Sequence, residues 1–98
     1  MTKQNMADEF TKRFGIEMDN VKARLAELKG KGRELKVEAR QDFEKTMRAL
    51  EKTEKELETR MGEWVRVGKM ASADVKKGLE RAAKELKKGV DDAASHLK

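Results

Sequence analysis

From Trp64 to the end of the chain the sequence repeats with an eleven-residue step. Trp64, Val75, Leu86 and Leu97 form one register, Gly68, Leu79 and Val90 a second, and Ala71, Ala82 and Ala93 a third. Eleven residues over three turns is about 3.67 per turn, so these positions stack almost straight along an α-helix. The result is an apolar stripe, Val75, Leu79, Ala82, Leu86, Val90, Ala93 and Leu97, bordered by Lys76, Lys77, Lys87 and Lys88. Such a stripe has to be covered by something, and its cover decides both the fold and the function.

Ninety-eight residues allow one small domain, spanning 1–98. With 44% charged residues, 4% aromatic residues and no proline, an extended helical assembly is favoured over a core of several layers. The net charge of +5 arises from 24 basic and 19 acidic residues, a mixed surface rather than a cationic block. Nucleic acid is therefore a poor expectation as partner: Lys76, Lys77, Lys84, Lys87 and Lys88 spread around the helix among Glu80, Glu85, Asp91 and Asp92. There is no cysteine, and the single histidine, His96, has no companion at metal-ligand spacing. The first residues carry no apolar signal-like stretch, and no run is long enough to cross a bilayer. These absences lead to the expectation of a soluble bacterial protein in the cytoplasm, with no cofactor or metal.

The first half is patterned for a partner helix. Asn5 is a plausible cap, with Thr2 as the other candidate, followed by Asp8 and Glu9 at the positive end of the helix dipole. Phe10, Phe14, Met18, Val21, Leu25, Leu28, Gly32, Leu35 and Ala39 then recur at steps of four and three, a heptad seam. It continues through Phe43, Met47, Leu50, Glu54, Leu57, Met61 and Trp64, with one eleven-residue unit between Ala39 and Leu50 that relaxes the supercoil. Glu54 at a seam position reads either as a rim glutamate lying over the core or as a polar group that fixes register. Acid-before-base pairs four apart, such as Glu27 and Lys31, Glu44 and Arg48, and Glu51 and Lys55, support helix at about 0.2 to 0.5 kcal/mol each.

The fold class this predicts is all-α: a long antiparallel helical hairpin or coiled coil, with a heptad arm over about 5–61, a bend over 62–74 and an amphipathic helix over 75–97. Gly62 or Gly68 ends the arm, and Ser72 or Asp74 caps the next helix. Locally acidic 51–63 would face locally basic 64–98. The alternative is a three-helix arrangement broken near Gly30 and Gly32, which the hairpin reading treats as a soft spot. At 1.5 Å per residue the arm would be roughly 85 Å long and the second helix roughly 40 Å. The shorter helix would leave the seam near Phe10, Phe14 and Val21 exposed, so a homo-oligomer is expected. Its self-association seam would be Phe10, Phe14, Val21, Leu25, Leu28, Leu35, Met47, Leu50, Leu57, Met61 and Trp64.

Nothing in the sequence assembles a reaction centre. Asp91 and Asp92 point about 100° apart on a helix and cannot act as paired carboxylates. Asp92, Ser95 and His96 face different directions, and Gly78 and Gly89 follow no strand as a phosphate loop would require. Those two glycines sit at the edge of the stripe. There they either admit a closely packed helix or soften a face that meets lipid. Trp64 similarly reads as an anchor at the bend or as an interfacial residue.

The element Gly62-Glu63-Trp64 and the repeats Val75-Lys76-Lys77-Gly78-Leu79 and Leu86-Lys87-Lys88-Gly89-Val90-Asp91-Asp92-Ala93-Ala94-Ser95-His96-Leu97 resemble a family of small bacterial helical proteins described as coiled-coil domain-containing or stress-induced. The resemblance spans nearly the whole chain. It implies a stress-associated helical protein and supplies no active-site residues. Val75 stands where the family commonly has a second tryptophan, Leu97 replaces a terminal aromatic residue, and Gly30 and Gly32 replace better helix formers. Residues Val75 to Lys98 are also similar to the eleven-residue repeats of synucleins and desiccation-protective proteins, which form amphipathic helices on membranes.

Two functions compete on this reading. One is a non-enzymatic oligomeric scaffold, adaptor or stress-associated protein that contacts itself and other helical proteins. The other is a peripheral membrane binder in which the stripe enters an anionic bilayer and Lys76, Lys77, Lys87 and Lys88 reach lipid phosphates.

Overall fold

A computed structural model describes residues 3–69 and 72–97. The protein is all-α. Three helices, α1 (Lys3–Gly32), α2 (Val37–Arg66) and α3 (Ala73–Ser95), run up, down and up, and every pair is in contact. The bundle measures 53 × 18 × 17 Å, which accords with about 45 Å for a 30-residue helix.

The long arm expected over 5–61 is thus two helices, and the chain takes the three-helix arrangement. The division falls just past Gly32 and has a steric cause. A Cβ on Gly32 would stand 2.5 Å from the Phe43 ring, so the bare backbone there is what lets α2 fold back tightly on the end of α1. Arg33, Glu34 and Leu35 donate backbone N–H groups to the carbonyls of Gly30, Lys31 and Gly32, tightening the last turn. Lys36 is then extended, and α2 begins without a side-chain cap. Leu28, Gly32, Leu35 and Ala39 keep helical spacing across this turn, but Leu35 is only half-buried and Ala39 is exposed.

The second turn follows its sequence signals. Gly68 takes a left-handed φ of 77° just after Val67, where a side chain would be strained, and ends α2. The Ser72 hydroxyl accepts from the Val75 N–H at 3.5 Å and caps α3. Gly62 lies inside α2. Thr2 and Ala71, singled out in the sequence, lie outside the described residues.

Splitting the arm changes what covers the seam. Phe10, Phe14, Met18, Val21, Leu25 and Leu28 of α1 form one core with Phe43, Met47 and Leu57 of α2 and Leu79, Ala83, Leu86, Val90 and Ala93 of α3. Leu35, Leu50, Met61, Trp64, Val75, Ala82 and Leu97 pack half-buried against it. Each large apolar side chain buried contributes about 1.5 to 3 kcal/mol, against a conformational entropy cost of similar total size. The patch expected to be exposed at Phe10, Phe14 and Val21 is 5%, 2% and 4% accessible. The length argument for an oligomer fails there, because it assumed an unbroken arm.

Candidate interaction surface

The eleven-residue stripe is buried by the chain itself. Leu79, Leu86, Val90 and Ala93 are 2–3% accessible against α1 and α2, with Val75, Ala82 and Leu97 at the margins. Of the bordering lysines, Lys87 pairs with Glu17 of α1 at 3.2 Å, Lys76 is half-buried, and Lys77 and Lys88 are exposed. Trp64 packs half-buried at the edge of the core. Gly89 is a packing glycine: the Leu50 Cδ2 atom lies 2.8 Å from where its Cβ would be. Gly78 meets nothing within 4 Å.

Charge is distributed unevenly over the three grooves between helices. Lys22 of α1 reaches Glu58 of α2 at 2.7 Å, and Lys29 reaches Glu51 at 2.9 Å. Arg24 of α1 reaches Asp91 of α3 at 2.6 Å, beside the Glu17–Lys87 pair. Among the described residues no ion pair joins α2 to α3. The opposite charge balances of 51–63 and 64–98 are therefore answered from α1, not by each other. Within helices, among the described residues, Glu27 with Lys31 and Arg40 with Glu44 are close enough to pair. Glu51 turns to Lys29 instead of Lys55.

The α2–α3 groove is lined mostly by small and apolar groups, with Asp42, Asp92 and His96 among them. Leu35, Phe43, Leu50 and Ala93 lie along it, with Ala39, Thr46, Ala49 and Gly89 at its sides, around an open volume of about 620 Å³. Two threonine hydroxyls of α2 turn back on their own helix. The Thr46 hydroxyl donates to the Asp42 carbonyl at 3.2 Å, and the Thr53 hydroxyl to the Ala49 carbonyl at 3.0 Å. At the end of α3 the Ser95 hydroxyl donates to the Asp92 carbonyl at 2.6 Å, and His96 Nδ1 lies 2.8 Å from the same oxygen. Serine and histidine thus converge on one backbone acceptor and make no bond to each other. No group of three His, Asp or Glu among the described residues stands ready to hold a metal ion. No helix among them is long and apolar enough to cross a membrane.

Glu54 is not a rim glutamate lying over the core: it is buried among the seam residues. Its residue is 2% accessible, in the middle of α2, and Oε1 has no hydrogen-bond partner. Lys22 Nζ stands 3.9 Å away, too far for a hydrogen bond, while it holds Glu58. Burial pushes the Glu54 carboxyl up from 4.5 to about 7, and the neighbouring Glu58 carboxyl adds to that, with Lys22 and Lys55 acting against it. Lys22 is raised, chiefly by its hydrogen bond to Glu58. The seam pattern placed Glu54 in the core. The depth of its burial depends on α1 folding over it, which the pattern alone did not specify.

Compared with known proteins, the chain matches no family model, no curated protein and no solved structure.

Proposed function

We propose that this chain is a non-enzymatic helical scaffold or adaptor that acts through protein–protein contacts, including contacts with copies of itself, in the stress-associated setting its family resemblance implies. The observation that supports this reading is the asymmetry of the bundle. Its apolar seams are used in its own core, and two grooves are crossed by ion pairs. The third, between α2 and α3, is crossed by no ion pair among the described residues; Ala39, Ala49, Gly89 and Ala93 line it beside Leu35, Phe43 and Leu50, with Asp42 and Asp92 on its walls. Its small residues admit another helix closely, and the carboxylates of Asp42 and Asp92 would need partners from that helix to lose water.

The membrane reading has less support. Leu79, Leu86 and Val90 would have to leave the core before they could enter a bilayer, and each such exposure costs about 1.5 to 3 kcal/mol.

Sedimentation across a concentration range, with far-UV circular dichroism on the same lipid-free samples, tests the choice. A helical dimer or larger oligomer is the expected outcome. A poorly helical monomer that gains helix on anionic vesicles would replace the scaffold reading with the membrane one.

A further inference from the structure

We propose that the α2–α3 groove is a docking site for a helix of another protein, one whose apolar face is edged on both sides by lysine or arginine. This inference rests on the scaffold reading and names the class of partner that the groove fits.

Charge selects that class. The chain carries 24 basic against 19 acidic residues, and other hollows on its surface mix both signs, with Arg48 and Lys52 beside Glu51 in one and Arg13 and Lys84 beside Glu17 in another. The α2–α3 groove differs. Its walls carry Asp42 on α2 and Asp92 on α3, and no lysine or arginine lines it. Both aspartates are exposed, and among the described residues neither is in an ion pair. His96, the other titratable group there, is turned to the Asp92 carbonyl.

Shape selects a helix. The half-buried Leu35 and Leu50 lie between walls kept low by Ala39, Ala49 and Gly89. From Ala39 to Leu50 the groove follows α2 for about 16 Å, the length of three helical turns. A helix seated there covers the leucines with its apolar face, lays its basic stems over the alanines and brings their heads to one carboxylate on each wall. Two other occupants fit worse. A second copy presenting the same groove sets carboxylates against carboxylates, and the chain's own lysine-edged stripe is buried in its core. An anionic bilayer meets the same repulsion.

The probe is a synthetic helix with leucine and alanine on one face and lysine along both edges, about 18 residues long because shorter helices are marginal in water. Fluorescence anisotropy follows its binding to the full chain at low salt and about pH 8, where an ordinary histidine is neutral. Asp42→Asn with Asp92→Asn should weaken binding about fivefold or more. Glu56→Gln with Glu63→Gln removes the same net charge from exposed acids of α2 outside the groove and should leave binding unchanged. Equal weakening in both pairs overturns the site. The same probe with glutamate for lysine should bind far more weakly; equal affinity, or no binding of the lysine probe, overturns the partner class. Ala49→Arg, which sets a cation on the wall, should block the lysine probe with unchanged helicity, and the aspartate pair decides alone if helicity falls. If Ala49→Arg breaks up an oligomer formed without the probe, the occupant is a second copy and the proposal falls. An oligomer that persists while the lysine probe fails to bind removes this inference and leaves the scaffold reading standing.

Discussion

Along α1 the bundle is crossed by charge on both sides, Lys22 and Lys29 reaching to α2 and Arg24 and Glu17 to α3, whereas no ion pair joins α2 to α3 among the described residues. Exposed ion pairs add little stability, typically about 0 to 1 kcal/mol. What they add here is a preferred alignment of α1 on its two neighbours. The α2–α3 seam gets its alignment from shape, with Leu50 lying over Gly89. One helix is thus fitted to the other two by charge as well as packing, and the remaining groove is left free of charged cross-links.

The largest test of this division is to put a charge in the part that all three helices share. Leu57 is 3% accessible in the core, while Leu50 is half-buried at the groove. Leu57→Lys should abolish most far-UV helical signal at physiological temperature, because burying an unpaired charge costs several kcal/mol, about 3 to 5, of a total stability of about 5 to 15. Leu50→Lys should leave a folded, less stable bundle, since its ammonium can reach water. Equal loss in both would mean that Leu50 is as much a core residue as Leu57.

Glu54 comes next, and its sign is fixed by linkage. In the unfolded chain its carboxyl titrates near 4.5, while in the folded chain burial holds it up to about 7. The folded state therefore binds more protons between those values. Stability should be highest below 4.5 as far as this group is concerned, and should decline as pH rises through about 7, by a total of about 3 kcal/mol. Urea unfolding at about pH 5 and about pH 8 measures it. Glu54→Gln should flatten the difference, and a wild-type chain no less stable at the higher pH would contradict a carboxyl buried without a full partner.

Two glycines should then part company. Gly32→Ala forces a Cβ into the Phe43 ring and should cost about 1 to 3 kcal/mol. Gly78→Ala meets open space within α3 and should stabilise by up to about 1 kcal/mol. The midpoint of urea unfolding reads both, and a shared sign would show that the steric account of the first turn is wrong.

Those glycines also show how far the sequence could be read. The seam residues were legible because spacing alone assigns them to one face, and nearly all of them are in the core. The second turn was legible too, since Gly68 and Ser72 act through local backbone chemistry. The first turn was harder. Gly32 has no unusual φ, and its role appears only when Phe43 arrives from a different helix. With the spacing unbroken from Leu28 to Ala39, periodicity carried the helix straight through. The candidate face was hidden for the same reason. Ala39, Thr46 and Ala49 look like unremarkable helix surface until α3 lies beside them, and the missing ion pairs of a groove are visible only once its neighbours have theirs.

The smallest effect tests whether the ion pairs along α1 do anything beyond alignment. Arg24 and Asp91 are 2.6 Å apart, with side chains 49% and 61% exposed. A double-mutant cycle of Arg24→Ala and Asp91→Ala should give a coupling of about 0.2 to 1 kcal/mol at low salt. The coupling should shrink when the ionic strength approaches about 1 M, where screening acts within about 3 Å. Because no such pair joins α2 to α3 among the described residues, the salt dependence of the bundle should respond most to substitutions on α1 and its partners. A coupling that survives high salt would mean that Arg24 contributes by laying its stem over Val90 and Val21. The α1–α3 groove would then be sealed by packing, and the contrast with α2–α3 would lie in how completely each groove is filled.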